Sequence, residues 1–75
     1  MTGEPTPGYL QRRLGRRLRA WRKKHGWSQE VAAEVLGIHR TYLSNLEHGQ
    51  RNIGLRMVER IAAQLGVPAA DLLTD

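Results

Sequence analysis

In the stretch "IHRTYLSNLEHGQRN", residues 38–52, the side chains of Arg40, Thr41, Ser44 and Asn45 stand at i, i+1, i+4 and i+5. At about 100° per residue they share one arc of a helix with His48, while Tyr42, Leu43 and Leu46 take the other. Such an arc offers hydrogen-bond donors and acceptors, the chemistry of recognition. Catalytic chemistry finds no comparable foothold. His25, His39 and His48 lack metal-ligand spacing, "LEHG" is not the H-E-x-x-H helix of a zinc protease, and neither a nucleophile motif nor a Gly-rich phosphate loop is present. The sequence therefore predicts no enzyme, no metal, no cofactor and no small-molecule substrate. Taken alone, the polar arc is also what any solvated helix face looks like, so its neighbours decide its meaning.

Those neighbours read as helices throughout. Leu10, Leu14, Leu18 and Trp21 recur at spacings of four, four and three, which predicts a first helix from Tyr9 to His25 that stops at Gly26. Ser28 is a good N-cap for a second helix, and Trp27 before it is placed to staple onto Ala32. Gly37 ends that helix, Ile38 fills the turn, and the quoted stretch follows as a third helix closing at Gly49. His39 is a poor residue for its cap. After the loop "GQRNIG", Leu55, Val58, Ile61, Ala62 and Leu65 lie at helical spacing up to Gly66, and Pro68 suits the first turn of a last helix, "PAADLL". Two short helices joined at Gly37 have the geometry of a helix-turn-helix over about residues 28–48. The small Ala33 lets them approach, and Ile38, Leu43 and Leu46 plug the angle between them. The expected fold is all-α, with residues 1–8 a flexible arm rich in Gly and Pro and residues 9–75 one domain.

With 75 residues and no cysteine, the chain has a small core and neither disulfide nor thiolate to reinforce it, so a partner subunit is the remaining support. The formal charge is +5, and eight of the twelve basic residues fall between Arg12 and Lys24. An isoelectric point near 10.8 is the footprint of a nucleic-acid binder, although a wet helix face gives the same composition. The basic residues of the first helix are spread round the wheel, which predicts that most are solvated and one or two lie near a DNA backbone. The opening "MTGEPTPGY" has no signal-peptide pattern, and no apolar run reaches the roughly 18 residues of a membrane span, so a cytoplasmic protein without membrane contact is expected.

The stretches "LGRRLRAWRKKHGWSQEVAAEVLGI", "RTYLSNLEHGQRNI" and "IAAQLGVPAADLL" resemble the Cro/C1-type (XRE-like) helix-turn-helix family of bacterial and phage regulators, from about Leu14 to Leu73. Within it, "RTYLSNLEHGQRNIGL" is most similar to the controller proteins of restriction–modification systems. The resemblance implies a compact five-helix, lambda-repressor-like domain that binds double-stranded operator DNA, as a homodimer on a palindrome with half-sites about 34 Å apart. By position it puts Arg40, Thr41, Ser44 and Asn45 at base edges. That suits their chemistry, since Arg forks onto guanine, Asn fits adenine and the Thr methyl meets thymine. It puts Gln29 on a phosphate, with Tyr42, Arg51 and Asn52 as further backbone contacts. It also pairs Glu47 with Arg22 as a structural tie between the first and third helices.

Departures from the family pattern are Val31 in place of an acid, Ala32 in place of a larger Leu, which Trp21 or Trp27 would compensate, and Gly54 in place of a Ser or Thr cap. For the dimer interface the sequence offers Ile53 and Leu73, whereas Leu72 reads as core. Antitoxins and protein-interaction modules built on the same fold are the alternative function, and activation is not distinguished from repression.

Overall fold

The computed structural model describes residues 8–73, so the expected flexible arm lies, except for Gly8, outside the described residues. Five helices follow in order: α1 (Tyr9–Lys24), α2 (Gln29–Leu36), α3 (Arg40–Glu47), α4 (Leu55–Leu65) and α5 (Ala69–Leu72). No strand occurs among the described residues.

Local signals fix where these helices begin and end. The Ser28 hydroxyl accepts from the Val31 N–H at 3.2 Å, satisfying one of the donors left open in the first turn of α2. At the other end Gly37 adopts φ 69°, ψ 33°, and the N–H groups of Gly37 and Ile38 close onto the carbonyls of Glu34 and Ala33. This left-handed closure is cheap only for glycine, and it turns the chain sharply into α3. The side chain of His39 makes no cap hydrogen bond, so α3 starts without that help and depends on packing. Pro68 stands just outside α5 as its N-cap residue, one position earlier than its expected place in the first turn.

The core is a single cluster in which Leu14 and Leu18 of α1 meet Leu36 of α2, Leu43 and Leu46 of α3, Ile61 of α4 and Leu72 of α5. Ala32 and Ala33 are fully enclosed, and Trp21 and Trp27 pack against the cluster from outside. A feature of α1 that periodicity alone does not display is the role of Gly15. A Cβ added there would strike the carbonyl oxygens of Leu46 and Glu47, the second at 2.7 Å, so the missing side chain is what lets α1 lie against the end of α3.

Two apolar residues of the expected stripes are not core. Leu10 is 50% exposed and Leu55 is 76% exposed. Each falls on the correct side of its helix, but in the first turn, where no other helix covers it. Together with Ile53 and Leu73 they border a shallow surface hollow of about 340 Å³. Most of the basic run of α1 is exposed, as its sequence predicts, yet three of its arginines have partners within the protein. Arg13 is buried, with its guanidinium over the Tyr9 ring, Arg17 donates from Nε and Nη2 to the Asp71 carbonyl at 3.0 and 2.7 Å, and Arg22 is bound to Glu47. Arg17 and Arg22 therefore tie α1 to α5 and α3, because a guanidinium can satisfy inward acceptors while its stem lies along apolar surface.

Candidate nucleic-acid interface

Helix α3 presents its two sides differently. Leu43 and Leu46 are buried in the core, which fixes the rotation of the helix and sends the opposite arc outward. On that arc Arg40 and Thr41 are exposed, while Ser44 and Asn45 are partly so. Among the described residues, none of these four side chains makes a hydrogen bond or ion pair, so their donors and acceptors are unspent. A helix two turns long carrying such a face can lie in a groove about 12 Å wide, the dimension of the DNA major groove. The turn at Gly37 sets its direction, and the Arg60 guanidinium of α4 reaches the Gly37 carbonyl at 3.3 Å.

Behind this face α3 is anchored by a polar node. Arg22 of α1 donates through Nε to Glu47 Oε2 at 2.7 Å and through Nη2 to Oε1 at 3.0 Å, a bidentate pair, and through Nη1 to the Trp27 carbonyl at 3.0 Å. Gln29 adds Nε2 to Glu47 Oε1 at 3.1 Å. Side-chain exposure is only 13% for Arg22 and 3% for Glu47. Burial alone would push the Glu47 carboxyl up, yet the hydrogen bonds from Arg22 and Gln29, with the nearby charges of Arg22 and Arg19, hold it below the usual carboxylate range. For Arg22 the hydrogen bond to Glu47 outweighs the opposing burial and raises the guanidinium further above neutrality. Both partners are thus charged throughout the physiological range, and one node links α1, α2 and α3.

The remaining expected contacts are distributed around this helix. Gln29, at the start of α2, spends one amide hydrogen on Glu47 and has its second hydrogen and the α2 N-terminus available. In the loop after α3, the Arg51 guanidinium sits 5.0 Å from the centre of the Tyr42 ring, which joins these two residues into one unit. Asn52 points back to α1, where its Oδ1 accepts from Gln11 Nε2 at 2.7 Å. The partner Gln11 carries no sequence signal, because it lies 41 residues from Asn52 and meets it only through the packing of α1. His48, also exposed, has its Nδ1 2.7 Å from the Ser44 carbonyl. Among the described residues no group of three His, Cys, Asp or Glu side chains is placed to hold a metal ion.

A family model described as "HTH_3: Helix-turn-helix" matches residues 18–72. A hypothetical transcription factor of Neisseria meningitidis serogroup B is 45% identical over 60 residues, 80% of this chain and 57% of the relative, so the chain spans little more than half of that protein. The control protein C.MunI of a Mycoplasma species is 41% identical over 64 residues, 84% of this chain and 86% of the relative. Among solved structures, the restriction-modification controller protein C.AhdI from Aeromonas hydrophila superposes with a TM-score of 0.71 at 35% identity, covering 83% of this chain and 94% of that one. The biofilm master regulator SinR in complex with DNA superposes with a TM-score of 0.70 at 32% identity, covering 81% and 98% of the respective chains.

Proposed function

The chain belongs to the HTH_3 helix-turn-helix family of transcription regulators, and from that premise we propose that it is a sequence-specific regulator whose α3 reads a palindromic operator in double-stranded DNA. The observation that carries the reading is the unspent polar arc of α3, backed by a helix that cannot rotate. Arg40, Thr41, Ser44 and Asn45 act at base edges, while Gln29, Tyr42, Arg51 and Asn52 position the protein on the backbone. The likeness to SinR, whose structure was solved with DNA, supports this use of the fold. Similarity to C.MunI and C.AhdI supports the narrower reading, a controller of the restriction–modification type working in the cytoplasm. The same reading makes the helices from α1 to α5 a single DNA-binding domain.

One helix of this length touches four or five base pairs, too few to single out a site in a genome, so two copies are required. The hollow bordered by Leu10, Ile53, Leu55 and Leu73 supports that demand, since it gathers exposed apolar surface away from α3. The second copy docks there, Ile53 and Leu73 at the centre and Leu10 and Leu55 at the rim.

Selection of bound duplexes from a random pool tests the reading, because it returns site, symmetry and half-site spacing together. A palindrome with half-sites one helical turn apart is the expected product. A salt titration on the selected duplex and a scrambled one then separates reading from charge. An affinity ratio near one at every salt concentration overturns the proposal and leaves a cationic protein-interaction module.

A further inference from the structure

A second cavity, of about 480 Å³, opens between the C-terminal ends of α1, α2 and α4, and no residue of α3 borders it. We propose that it is a binding site for a small organic anion, an aromatic or aliphatic carboxylate whose apolar body lies on the tryptophans and whose charge meets the basic rim.

The cavity is within the range of small-molecule sites, and its wall has their usual make-up: mostly apolar, with a few convergent polar groups. Trp21 and Trp27 meet edge to face at 5.4 Å between ring centres, and the His25 ring stacks on Trp27 at 4.5 Å. His25 is held in that position, with Nδ1 3.0 Å from the Trp21 carbonyl. Val35 and Val67, each 36% exposed, leave further apolar surface at the mouth. Two half-buried indoles and two open valines gathered at one place leave apolar surface that the core does not cover.

Charge selects the occupant. The charged and titratable side chains lining the cavity are Arg17, Lys24 and His25, and among the described residues none is acidic. Arg17 is fixed in advance, because Nε and Nη2 each donate one hydrogen to the Asp71 carbonyl, leaving both Nη1 hydrogens and the second on Nη2 uncommitted. An apolar body with a carboxylate satisfies both parts of this wall, whereas a neutral body leaves the cations unanswered and a hydrophilic anion leaves the indoles wet. Because the wall is shared by α1, α2, α4 and α5, an occupant clamps together the elements that carry α3 on one side and Leu55 and Leu73 on the other.

The experiment uses the full chain labelled with ¹⁵N, in which the two indole N–H resonances report on the cavity directly. Indole-3-acetate and octanoate are titrated as probes, with indole-3-ethanol as the uncharged match of the first. The expected result is saturable movement of both indole resonances and of the Val35 and Val67 amides by at least one carboxylate, below about 1 mM, with the backbone amides of Arg40–Asn45 unmoved. Lys24→Gln, a change at an exposed residue, and replacement of indole-3-acetate by indole-3-ethanol should each weaken binding at least about threefold, the loss of one exposed charge contact. Three outcomes overturn the proposal: no saturable shift with either carboxylate, equal binding of the charged and neutral indoles, or shifts that map to Ile53, Leu55 and Leu73 instead. Indole shifts that follow protein concentration without added probe also overturn it, by making the cavity a subunit contact.

Discussion

The outer and inner sides of α3 carry similar side-chain chemistry and put it to opposite uses. Outside, Arg40 and Asn45 have their hydrogen-bonding groups open to solvent, at no cost to the fold. Inside, Glu47 is almost completely enclosed and each of its oxygens is engaged, by Arg22 and Gln29. A polar group in water is available to a ligand, while one in the interior must be satisfied by the protein itself. Separation of these roles within eight residues is what allows the outer side to change its partner without loosening the helix. Substitutions on the two sides should consequently fail in different assays.

The largest effect is expected from the inner side. Glu47→Ala leaves the Arg22 guanidinium enclosed without its carboxylate and should lower stability by about 3 kcal/mol, because breaking a buried pair costs far more than the pair contributes. For a domain of this size that is a fall of more than about 10 °C in Tm, checked by thermal denaturation followed by circular dichroism. The pair also sets an acid limit. Since the folded-state pKa of Glu47 is depressed, its contribution is complete above the unfolded carboxylate range near 4.3 and is lost as pH falls through the lower folded value. Urea midpoints measured from pH 6 down to 3 should drop steeply in the natural chain and more gently in Glu47→Gln.

Gly15→Ala comes next, and here the sign is the test. In an ordinary helix interior this change stabilises by about 1 kcal/mol. The methyl would instead collide with the carbonyls of Leu46 and Glu47, backbone that cannot swing aside, so a net loss of about 2 kcal/mol is expected. A gain in the urea midpoint would mean that α1 and the end of α3 have room between them, and the contrast between an anchored inner side and a free outer one would weaken.

Arg40→Ala reverses the pattern. Its side chain is exposed and makes no intramolecular bond among the described residues, so Tm should stay within about 2 °C. Discrimination at one base pair in each half-site should fall by about 1–3 kcal/mol, read from competition between the selected duplex and single-position variants. A broad loss over all sequences would instead make Arg40 a phosphate contact.

How far the sequence reveals each side follows from the range of the interactions. The helices, their Gly stops and the outward arc of α3 depend on residues within one or two turns, and periodicity exposes them. Leu10 and Leu55 show where that logic ends, for a stripe names the side of a helix but not how much of it a distant element covers. Gly15 was silent for the same reason, since its significance lies in carbonyls about thirty residues away. Of the arginines of α1, Arg17 and Arg22 look alike in a charge count, yet one binds a carbonyl of α5 and the other a carboxylate of α3. The Arg22–Glu47 pair could be named from family resemblance only; its third member, Gln29, lay outside that pattern because one amide serves both the node and the solvent-facing start of α2.

Gln29 stands where the two sides meet, and its loss should give the smallest and most mixed effect. Removing the side chain takes one hydrogen bond from Glu47, which keeps both bonds from Arg22, so stability should fall by no more than about 1 kcal/mol. It also takes a donor from the α2 N-terminus, where a phosphate would bind, and Gln29→Ala should weaken binding to selected and scrambled duplexes alike, by up to about tenfold. Equal weakening preserves the affinity ratio while lowering both constants. A fall confined to the selected duplex would make Gln29 a reader of bases, and the division between positioning at α2 and reading at α3 would have to be redrawn. If binding is untouched but Tm falls, Gln29 belongs to the inner node alone, and the phosphate must be held by other groups at the start of α2.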